Sequence, residues 1–446
     1  MVRTTRYGEG KGMRYQLPVL LCAALTMAAA CSDDGGGGSS GGSGSTPVNW
    51  PTVPSAYSAL YSELDGYLDA EEAQIDAQWS GSRYATDFGV QLDAANGNRG
   101  PALLTAAGQQ KLNDQIAAFA AMGADVLKID ITYPLLTQAY HNFEGHTQTA
   151  QDFINYYASV ASAGRAAGMK IAVEHGTLFT GYTVWDPAAY FADMKTAGPS
   201  QVRIDYAVQK AAEAVAIAQA MAPDYFALID EVETQNTLFG PVGGTVLYGP
   251  SGWASYVQYA IGQVQSAAPA FGGKFGAGSA TWEDRSYALA FAGVSALDYV
   301  DLHVYPLTNG VADYMLNVAS WADDIRAVDS TKAVSVGECW LYKASVSELS
   351  GGIANVSVFA RDLYSFWQPL DIQFLEILYK LANYKELLFV VPYWSQYHFA
   401  YADYDDPNVP ATDAGKLAYS YTLADPNITA QAFSPTGQHY MDIMSR

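Results

Sequence analysis

The alternation of short apolar runs with longer Ala-rich runs constrains the fold of this chain more than any other feature. Eight runs have the length and the apolar character of strands, and they are Ala85–Leu92, Asp125–Ile131, Lys170–Glu174, Tyr225–Ile229, Phe275–Ser279, Tyr299–Val304, Ala333–Gly337 and Leu387–Val391. Helical stretches lie between them, and they are Leu104–Met122, Ala150–Ala167, Val202–Met221, Trp253–Ala267, Arg285–Ser295, a stretch that ends near Val328, and Leu370–Tyr384. Parallel strands that are covered on both faces read as near-continuous apolar runs. Eight strand–helix repeats therefore predict an α/β fold, a (β/α)8 or TIM barrel.

An open, doubly wound sheet is the alternative fold for such repeats. Its nucleotide-binding form carries a Gly-rich phosphate loop after the first strand, and no such loop follows Leu92. The segment Ser58–Gln74 has apolar residues at helical spacing and predicts a helix before the barrel. No low-complexity break follows Trp50, so we predict a single barrel domain over residues 49–446.

Residues 1–30 have the pattern of an export signal peptide. Basic residues between Arg3 and Arg14 precede the apolar run Leu17–Ala30, which is too short to span a membrane comfortably. The run ends in Met-Ala-Ala-Ala-Cys31, which resembles a bacterial lipoprotein signal and implies lipidation of Cys31. Residues 31–48 are rich in Gly and Ser and predict a flexible linker. We expect export and lipid anchoring at the bacterial outer membrane or cell surface; ordinary secretion, and a start at Met13, are the alternatives.

Charge and composition exclude several classes of function. The net charge is −22, so the chain has no basic footprint with which to bind nucleic acid. Aromatic residues make up 13% of the chain, which suits a carbohydrate partner because the apolar face of a sugar packs on an aromatic ring. Cys339 is alone outside the leader, so neither a disulfide framework nor a Cys-based zinc site is expected. His-Glu-x-x-His spacing is absent, and we predict no metal and no cofactor; the acidic run Asp403–Asp406 is interpreted as an exposed loop rather than a calcium site.

Two glutamates stand where such a barrel places its active site, at the C-terminal strand ends. Glu231 follows the fourth strand-like run and Glu338 follows the seventh, so in a closed barrel they face each other across the mouth. Cleavage of a glycosidic bond needs a carboxylic acid to protonate the leaving oxygen and a carboxylate on the other side of the bond. A separation of about 5–5.5 Å indicates retention of configuration, and about 6.5–9.5 Å indicates inversion. Glu233 is the rival of Glu231 for the acid/base role.

Motifs at four strand ends are similar to the (β/α)8-barrel clan of retaining glycoside hydrolases that includes cellulases, mannanases and endogalactanases. Asp230-Glu231 resembles the Asn-Glu of the fourth strand, and Val-Gly-Glu338-Cys-Trp resembles the nucleophile segment of the seventh. His303-Val-Tyr305 resembles the His-x-Tyr of the sixth strand, and Pro-Tyr-Trp394 resembles the eighth-strand end with its sugar-stacking Trp.

This resemblance implies a retaining glycosidase with Glu231 as the acid/base and Glu338 as the nucleophile. It also implies that Tyr305 donates a hydrogen bond to Glu338, which we expect to keep the pKa of Glu338 low. The residues expected to bind the sugar or support the nucleophile are Asp230, His303, Tyr305, Trp394, His175, Tyr133 and Trp282.

Two other classes of function remain open from the sequence. A surface glycan-binding lipoprotein could keep the barrel without turnover, although a pure binder has no need of both glutamates. An aldolase-type barrel enzyme would need a Schiff-base lysine at a strand end, and Lys128 lies inside the second strand instead. The polymer, its linkage, and endo or exo action are not encoded in these motifs.

Overall fold

Eight parallel strands close on themselves in chain order, from β1 to β8, in the computed structural model. The structure describes residues 50–181, 184–305, 314–349 and 356–446. The strands are β1 (Asp87–Gln91), β2 (Val126–Tyr133), β3 (Lys170–Thr177), β4 (Tyr225–Ala227), β5 (Lys274–Ala280), β6 (Tyr299–Val304), β7 (Ala333–Cys339) and β8 (Phe389–Pro392). Pairing of β1 with β8 closes the barrel. The predicted TIM barrel is therefore confirmed, and the open sheet is excluded.

Helices surround the barrel and connect successive strands. They are α1 (Ser58–Asp76), α2 (Ala106–Met122), α3 (Gln138–Glu144), α4 (Ala150–Ala166), α5 (Ala188–Lys195), α6 (Pro199–Met221), α7 (Val232–Phe239), α8 (Pro250–Ala267), α9 (Ser286–Ala292), α10 (Tyr314–Val328), α11 (Val346–Leu349), α12 (Val356–Ala360), α13 (Gln368–Tyr384), α14 (Asp413–Ala430) and α15 (Pro435–Ser445). Short 3-10 helices lie at Asp93–Ala95, Gly97–Leu104, Ser365–Trp367 and Ser395–His398. The helix predicted before the barrel is α1, which packs on α13.

Alternate strand residues face the barrel interior, as the two-residue period of a strand requires. An apolar cluster closed off from the main core fills the lower interior, and it comprises Val126, Ala172, Tyr225, Tyr299, Phe389 and Val391. Two residues further along β2, β3 and β6 lie Lys128, Glu174 and Asp301, all buried. The barrel is thus apolar at its base and charged one layer above it. The larger core cluster lies between the outward strand faces and the helices.

In the residues that the structure describes, no helix is both long enough and apolar enough to cross a membrane. The predicted signal peptide (residues 1–30), the linker (residues 31–48) and the lipidation site Cys31 lie outside the described residues and stay predictions. The same holds for the exact start of the barrel domain at residue 49.

Candidate functional site

A cavity opens at the C-terminal ends of the strands. The cavity and its mouth together hold about 810 Å³, and the lining residues are Asn96, Asn98, Asp130, Thr132, Gly176, Thr177, Phe179, Asp230, Glu231, Thr234, Gln235, Trp282, His303, Tyr305, Glu338, Tyr342 and Tyr393. Both predicted catalytic glutamates are in this set. Four carboxyl groups and five Phe, Trp or Tyr rings line the cavity, so it combines acid chemistry with apolar surfaces that suit a sugar ring.

The start of α7 positions Glu231 at this cavity. β4 ends at Ala227, and Glu231 is the residue before α7, in the left-handed region at φ 35° and ψ 64°. Non-Gly residues pay about 1–3 kcal/mol for such a conformation, which persists only where the surroundings impose it. The Glu283 carboxyl group accepts the backbone N–H of Glu233 at 2.7 Å and so anchors the first turn of α7 directly after Glu231. The glutamate is therefore aimed by helix capping rather than by strand alternation.

Glu233 takes a different direction from Glu231. Because both residues lie beyond the end of β4, the two-residue alternation of a strand does not apply to them. The Glu233 carboxylate accepts the backbone N–H of Asp284 at 3.3 Å, and Glu233 does not line the cavity. The geometry favours Glu231 as the residue that can meet a substrate.

A β-bulge turns Glu338 into the barrel. Leu302 pairs with Val336, but His303 pairs with Glu338, so Gly337 is an extra residue in β7. A bulge of this kind re-aims the following side chain. A Cβ atom at Gly337 would overlap carboxylate oxygens of Asp301 and Glu174, so only glycine fits this position without displacing them.

One imidazole joins the two glutamates. The Nδ1 atom of His303 lies 2.9 Å from Glu231 Oε1 and 3.8 Å from Glu338 Oε2. The two oxygens can be no farther apart than the sum of these distances. That limit includes the about 5–5.5 Å of retaining enzymes and reaches only the lower edge of the about 6.5–9.5 Å range of inverting enzymes. The hydroxyl group of Tyr305 donates to Glu338 Oε1 at 2.6 Å, as the sequence predicts.

Burial and charge act against each other at Glu338. Burial raises the pKa of Glu338 to about 7, with a further rise from Glu231, while Lys128 and His303 lower it. We expected the hydrogen bond from Tyr305 to keep the pKa of Glu338 low, and this expectation is not met. Burial raises this pKa by more than a single hydrogen bond to the carboxylate lowers it. Burial likewise raises the pKa of Asp230 to about 7.

A buried ion network lies directly beneath the cavity. The Lys128 ammonium, which is 0% exposed, lies 2.5 Å from Glu174, 3.3 Å from Asp130 and 3.3 Å from Glu338. Glu174, His303 and Glu338 offer ligand atoms within 4.8 Å of one another, a grouping that could hold a metal ion. The Lys128 ammonium already places a positive charge against two members of this group, which disfavours a metal cation there.

Four of the predicted substrate-binding residues reach the cavity. Asp230, His303, Tyr305 and Trp282 line it, and the Asp230 carboxylate accepts a hydrogen bond from Gln235 Nε2 at 2.8 Å. The Trp282 ring packs against Tyr305 with centroids 5.7 Å apart.

The structure does not bring Tyr133, His175 or Trp394 to the cavity. Tyr133 and His175 occupy outward positions of β2 and β3; the Tyr133 hydroxyl donates to Gln209 at 2.9 Å, and His175 Nε2 lies 2.9 Å from Glu213. Both are fully buried against the helices. Trp394 is 2% exposed, and its neighbour Tyr393 lines the cavity instead.

Lys128 and Glu174 are charged residues of this region that sequence analysis did not assign to the site. The sequence did contain a pattern that indicates them. Lys128 and Asp130 interrupt the apolar run of β2 two residues apart, and Glu174 interrupts the apolar run of β3. Charged residues at alternate positions of a buried strand share one face, and in a barrel that face is the interior.

Solved structures of glycoside hydrolases share this fold. The chain matches no family model and no curated protein sequence. A GH5_18 protein from Bifidobacterium longum subsp. longum ATCC 55813 superimposes with a TM-score of 0.51 at 13% identity, covering 81% of this chain and 79% of that chain. A GH5_18 variant from Streptomyces cattleya, solved in complex with Manb1-4GlcNAc, gives 0.50 at 13% identity with 81% of each chain covered.

A glycoside hydrolase family 5 mannosidase from Rhizomucor miehei gives a TM-score of 0.50 at 11% identity, covering 83% of this chain and 96% of that chain. Similarity at these identities is similarity of fold. The resemblance to the (β/α)8-barrel glycoside hydrolase clan is therefore confirmed at the level of the fold, which this chain shares with family 5 glycoside hydrolases.

Proposed function

We propose that this protein is a retaining glycoside hydrolase that acts on a polysaccharide or oligosaccharide, with Glu231 as the acid/base and Glu338 as the nucleophile. The observation that carries the proposal is the convergence of both carboxylates on His303 Nδ1, at 2.9 Å and 3.8 Å, in the cavity at the C-terminal face of the barrel. The shared fold with family 5 enzymes supports it.

The reaction proceeds in two steps of double displacement. In the first, Glu231 gives its proton to the glycosidic oxygen while Glu338 forms a bond to the anomeric carbon, and the alcohol departs. In the second, Glu231 accepts a proton from water, the water oxygen bonds to the anomeric carbon, and the bond to Glu338 breaks. Glu338 must be ionised at the start, and Tyr305, donating at 2.6 Å, stabilises that ionised form. Once glycosylated, Glu338 carries no charge, which allows Glu231 to release its proton and act as a base.

Aromatic and amide side chains around the two glutamates supply contacts for a sugar. Trp282, Tyr342 and Phe179 present apolar ring surfaces, and Asn96 and Asn98 present amides. Such a mixture matches a ring that has apolar faces and hydroxyl edges. Because one solved structure of this fold holds Manb1-4GlcNAc and another is a mannosidase, β-mannosides are the first substrates to test.

The experiment is a panel of β-mannosides and other glycosides, with the anomeric configuration of the first product followed by NMR. We expect the wild-type protein to release a product that retains its configuration. Glu338→Gln, which keeps the side-chain shape, should abolish turnover without unfolding the protein. Inverted product, or full activity in Glu338→Gln, would contradict the mechanism. Sugar binding without turnover by the wild-type protein would favour a glycan-binding role.

Glu233→Gln is the matched control for Glu231→Gln. The two substitutions each remove one carboxyl group and lie two residues apart, but of the two residues only Glu231 lines the cavity. We expect Glu231→Gln to lose turnover and Glu233→Gln to keep it. The reverse result would transfer the acid/base role to Glu233.

We also propose that the protein is exported and anchored to the bacterial outer membrane or cell surface through a lipid on Cys31. The support is the basic and apolar leader that ends at Cys31 and the Gly/Ser-rich stretch that follows it. Fractionation of cells that express the full chain tests this proposal. The wild-type protein should sediment with membranes, and Cys31→Ser should not; equal release of both would exclude the anchor.

A further inference from the structure

We propose that Glu174 is a positioning residue for the reaction: from beneath the cavity it holds Lys128 against Glu338 and His303 against Glu231. This inference rests on the proposed glycosidase function and deepens it. Glu174 is 3% exposed and does not line the cavity, so it acts only through these two neighbours.

The contacts form a continuous path between the two proposed catalytic carboxylates. From Glu231 Oε1 the path crosses His303, whose Nδ1 is 2.9 Å away and whose Nε2 lies 3.2 Å from Glu174 Oε1. The other Glu174 oxygen lies 2.5 Å from Lys128 Nζ, and Lys128 Nζ lies 3.3 Å from Glu338 Oε2. Each oxygen of Glu174 thus fixes one cation, and each cation contacts one catalytic oxygen.

Charge explains why a carboxylate is needed here. Lys128 faces Glu174, Asp130 and Glu338, with the Tyr393 ring 6.0 Å away. Although burial disfavours ionised Glu174, Lys128 and His303 hold its pKa well below its usual range. A fixed negative charge at this depth therefore keeps the lysine and the imidazole positively charged.

His303 faces four carboxyl groups: Glu174 and Asp301 on the Nε2 side, and Glu231 and Glu338 on the Nδ1 side. Burial raises the pKa of Asp301 well above its usual range, and the Glu174 charge adds to the rise. Glu174 is also the nearer of the two carboxyl groups to Nε2, at 3.2 Å against 3.9 Å for Asp301. The negative charge of Glu174 favours a doubly protonated imidazole, which can donate through Nδ1 to Glu231 once Glu231 has given its proton to the substrate.

A glutamine cannot replace Glu174 in this position. Lys128 Nζ and His303 Nε2 lie 2.5 Å and 3.2 Å from its two oxygens, whereas an amide offers one oxygen and one NH₂ group. In Glu174→Gln one donor must therefore lose its partner or move away. Displacement of a catalytic group by about 1 Å can cost about 100-fold in rate.

The test compares Glu174→Gln with Asp371→Asn as a control. Asp371 pairs with Lys343 in another buried ion pair, with side chains 1% and 0% exposed, and neither residue lines the cavity. For Glu174→Gln we expect kcat to fall by about 10–100-fold with little change in KM. The acid limb of its pH–rate profile should move by about one unit to higher pH, because Lys128 and His303 lower the pKa of Glu338 and both then lose the carboxylate that holds them in place and charged.

Asp371→Asn should lower stability without moving the acid limb. The proposal would be overturned if the acid limb of Glu174→Gln stayed at the wild-type pH and activity fell only in proportion to the unfolded fraction. A shift of equal size in Asp371→Asn would also overturn it, because the effect would then be a general one of broken buried ion pairs.

A second readout is independent of hydrolysis. The ¹⁵N-imidazole NMR signals of the six histidines, assigned for His303 by comparison with His303→Gln, report its protonation directly. We expect the His303 titration midpoint to fall in Glu174→Gln relative to wild type, and an unchanged midpoint would refute the role of Glu174. If the wild-type protein hydrolyses no glycoside while this midpoint still shifts, the proposed function fails and the electrostatic role of Glu174 stands.

Discussion

Substitution of Gly337 by alanine tests whether the β7 bulge aims Glu338. The added methyl carbon would approach carboxylate oxygens of Asp301 and Glu174 to well under 3.0 Å, a distance that real Cβ atoms essentially never show. Both carboxylates are buried, so neither can rotate into solvent and the backbone of β7 must shift. Overpacking of this kind costs about 1–3 kcal/mol of stability. A shift of about 1 Å at Glu338 costs about 100-fold in kcat.

Urea unfolding and steady-state kinetics measure the two effects separately. The control is Gly262→Ala in α8, where a Cβ would meet nothing within 4 Å. We expect that control to gain up to about 1 kcal/mol of stability, since glycine in a helix is less stable than alanine by about that amount, and to keep its kcat. Gly337→Ala with unchanged stability and unchanged kcat would refute the account of the bulge.

The remaining predictions concern single side chains and one pH limb. The acid limb of kcat/KM should lie near pH 7, because Glu338 must be ionised and burial raises its pKa to about 7; activity that stays constant down to pH 5 would contradict this. Tyr305→Phe should move that limb upward by about 1–2 units, since a hydrogen bond to a charged group is worth about 1.5–3 kcal/mol; an unmoved limb would show that the 2.6 Å bond does not stabilise the ionised form. Trp282→Ala should raise KM for a sugar substrate more than it lowers kcat, and an unchanged KM would remove this ring from the binding surface. Tyr133→Phe should cost about 1 kcal/mol of stability by breaking the bond to Gln209 and should leave KM unchanged; a raised KM would restore Tyr133 to the sugar site.

Periodicity was sufficient to predict the barrel, because each buried strand is a short apolar run and each helix repeats its apolar face. The same periodicity could have corrected two site residues. Tyr133 and His175 lie an odd number of positions from Lys128 and Glu174 in their strands, so they face the helices when those charged residues face the interior.

Two other features were beyond the sequence pattern. The direction of Glu338 depends on a one-residue shift of register between β6 and β7, and register depends on both strands together. The direction of Glu231 depends on the Glu283 carboxylate, some fifty residues away, capping α7. These contacts join residues that are far apart in the sequence. For the same reason, the sequence alone could not show whether Tyr393 or Trp394 faces the cavity at the end of β8.

Covalent trapping tests the central claim most directly. Incubation with the 2-deoxy-2-fluoro derivative of whichever glycoside the wild-type protein hydrolyses should slow both displacement steps and accumulate the glycosyl-enzyme. Peptide mass spectrometry should then find one sugar bound to the peptide at Glu338. A label on any other residue, or an unlabelled protein that hydrolyses its substrate with inversion, would contradict the assignment of Glu338 as the nucleophile.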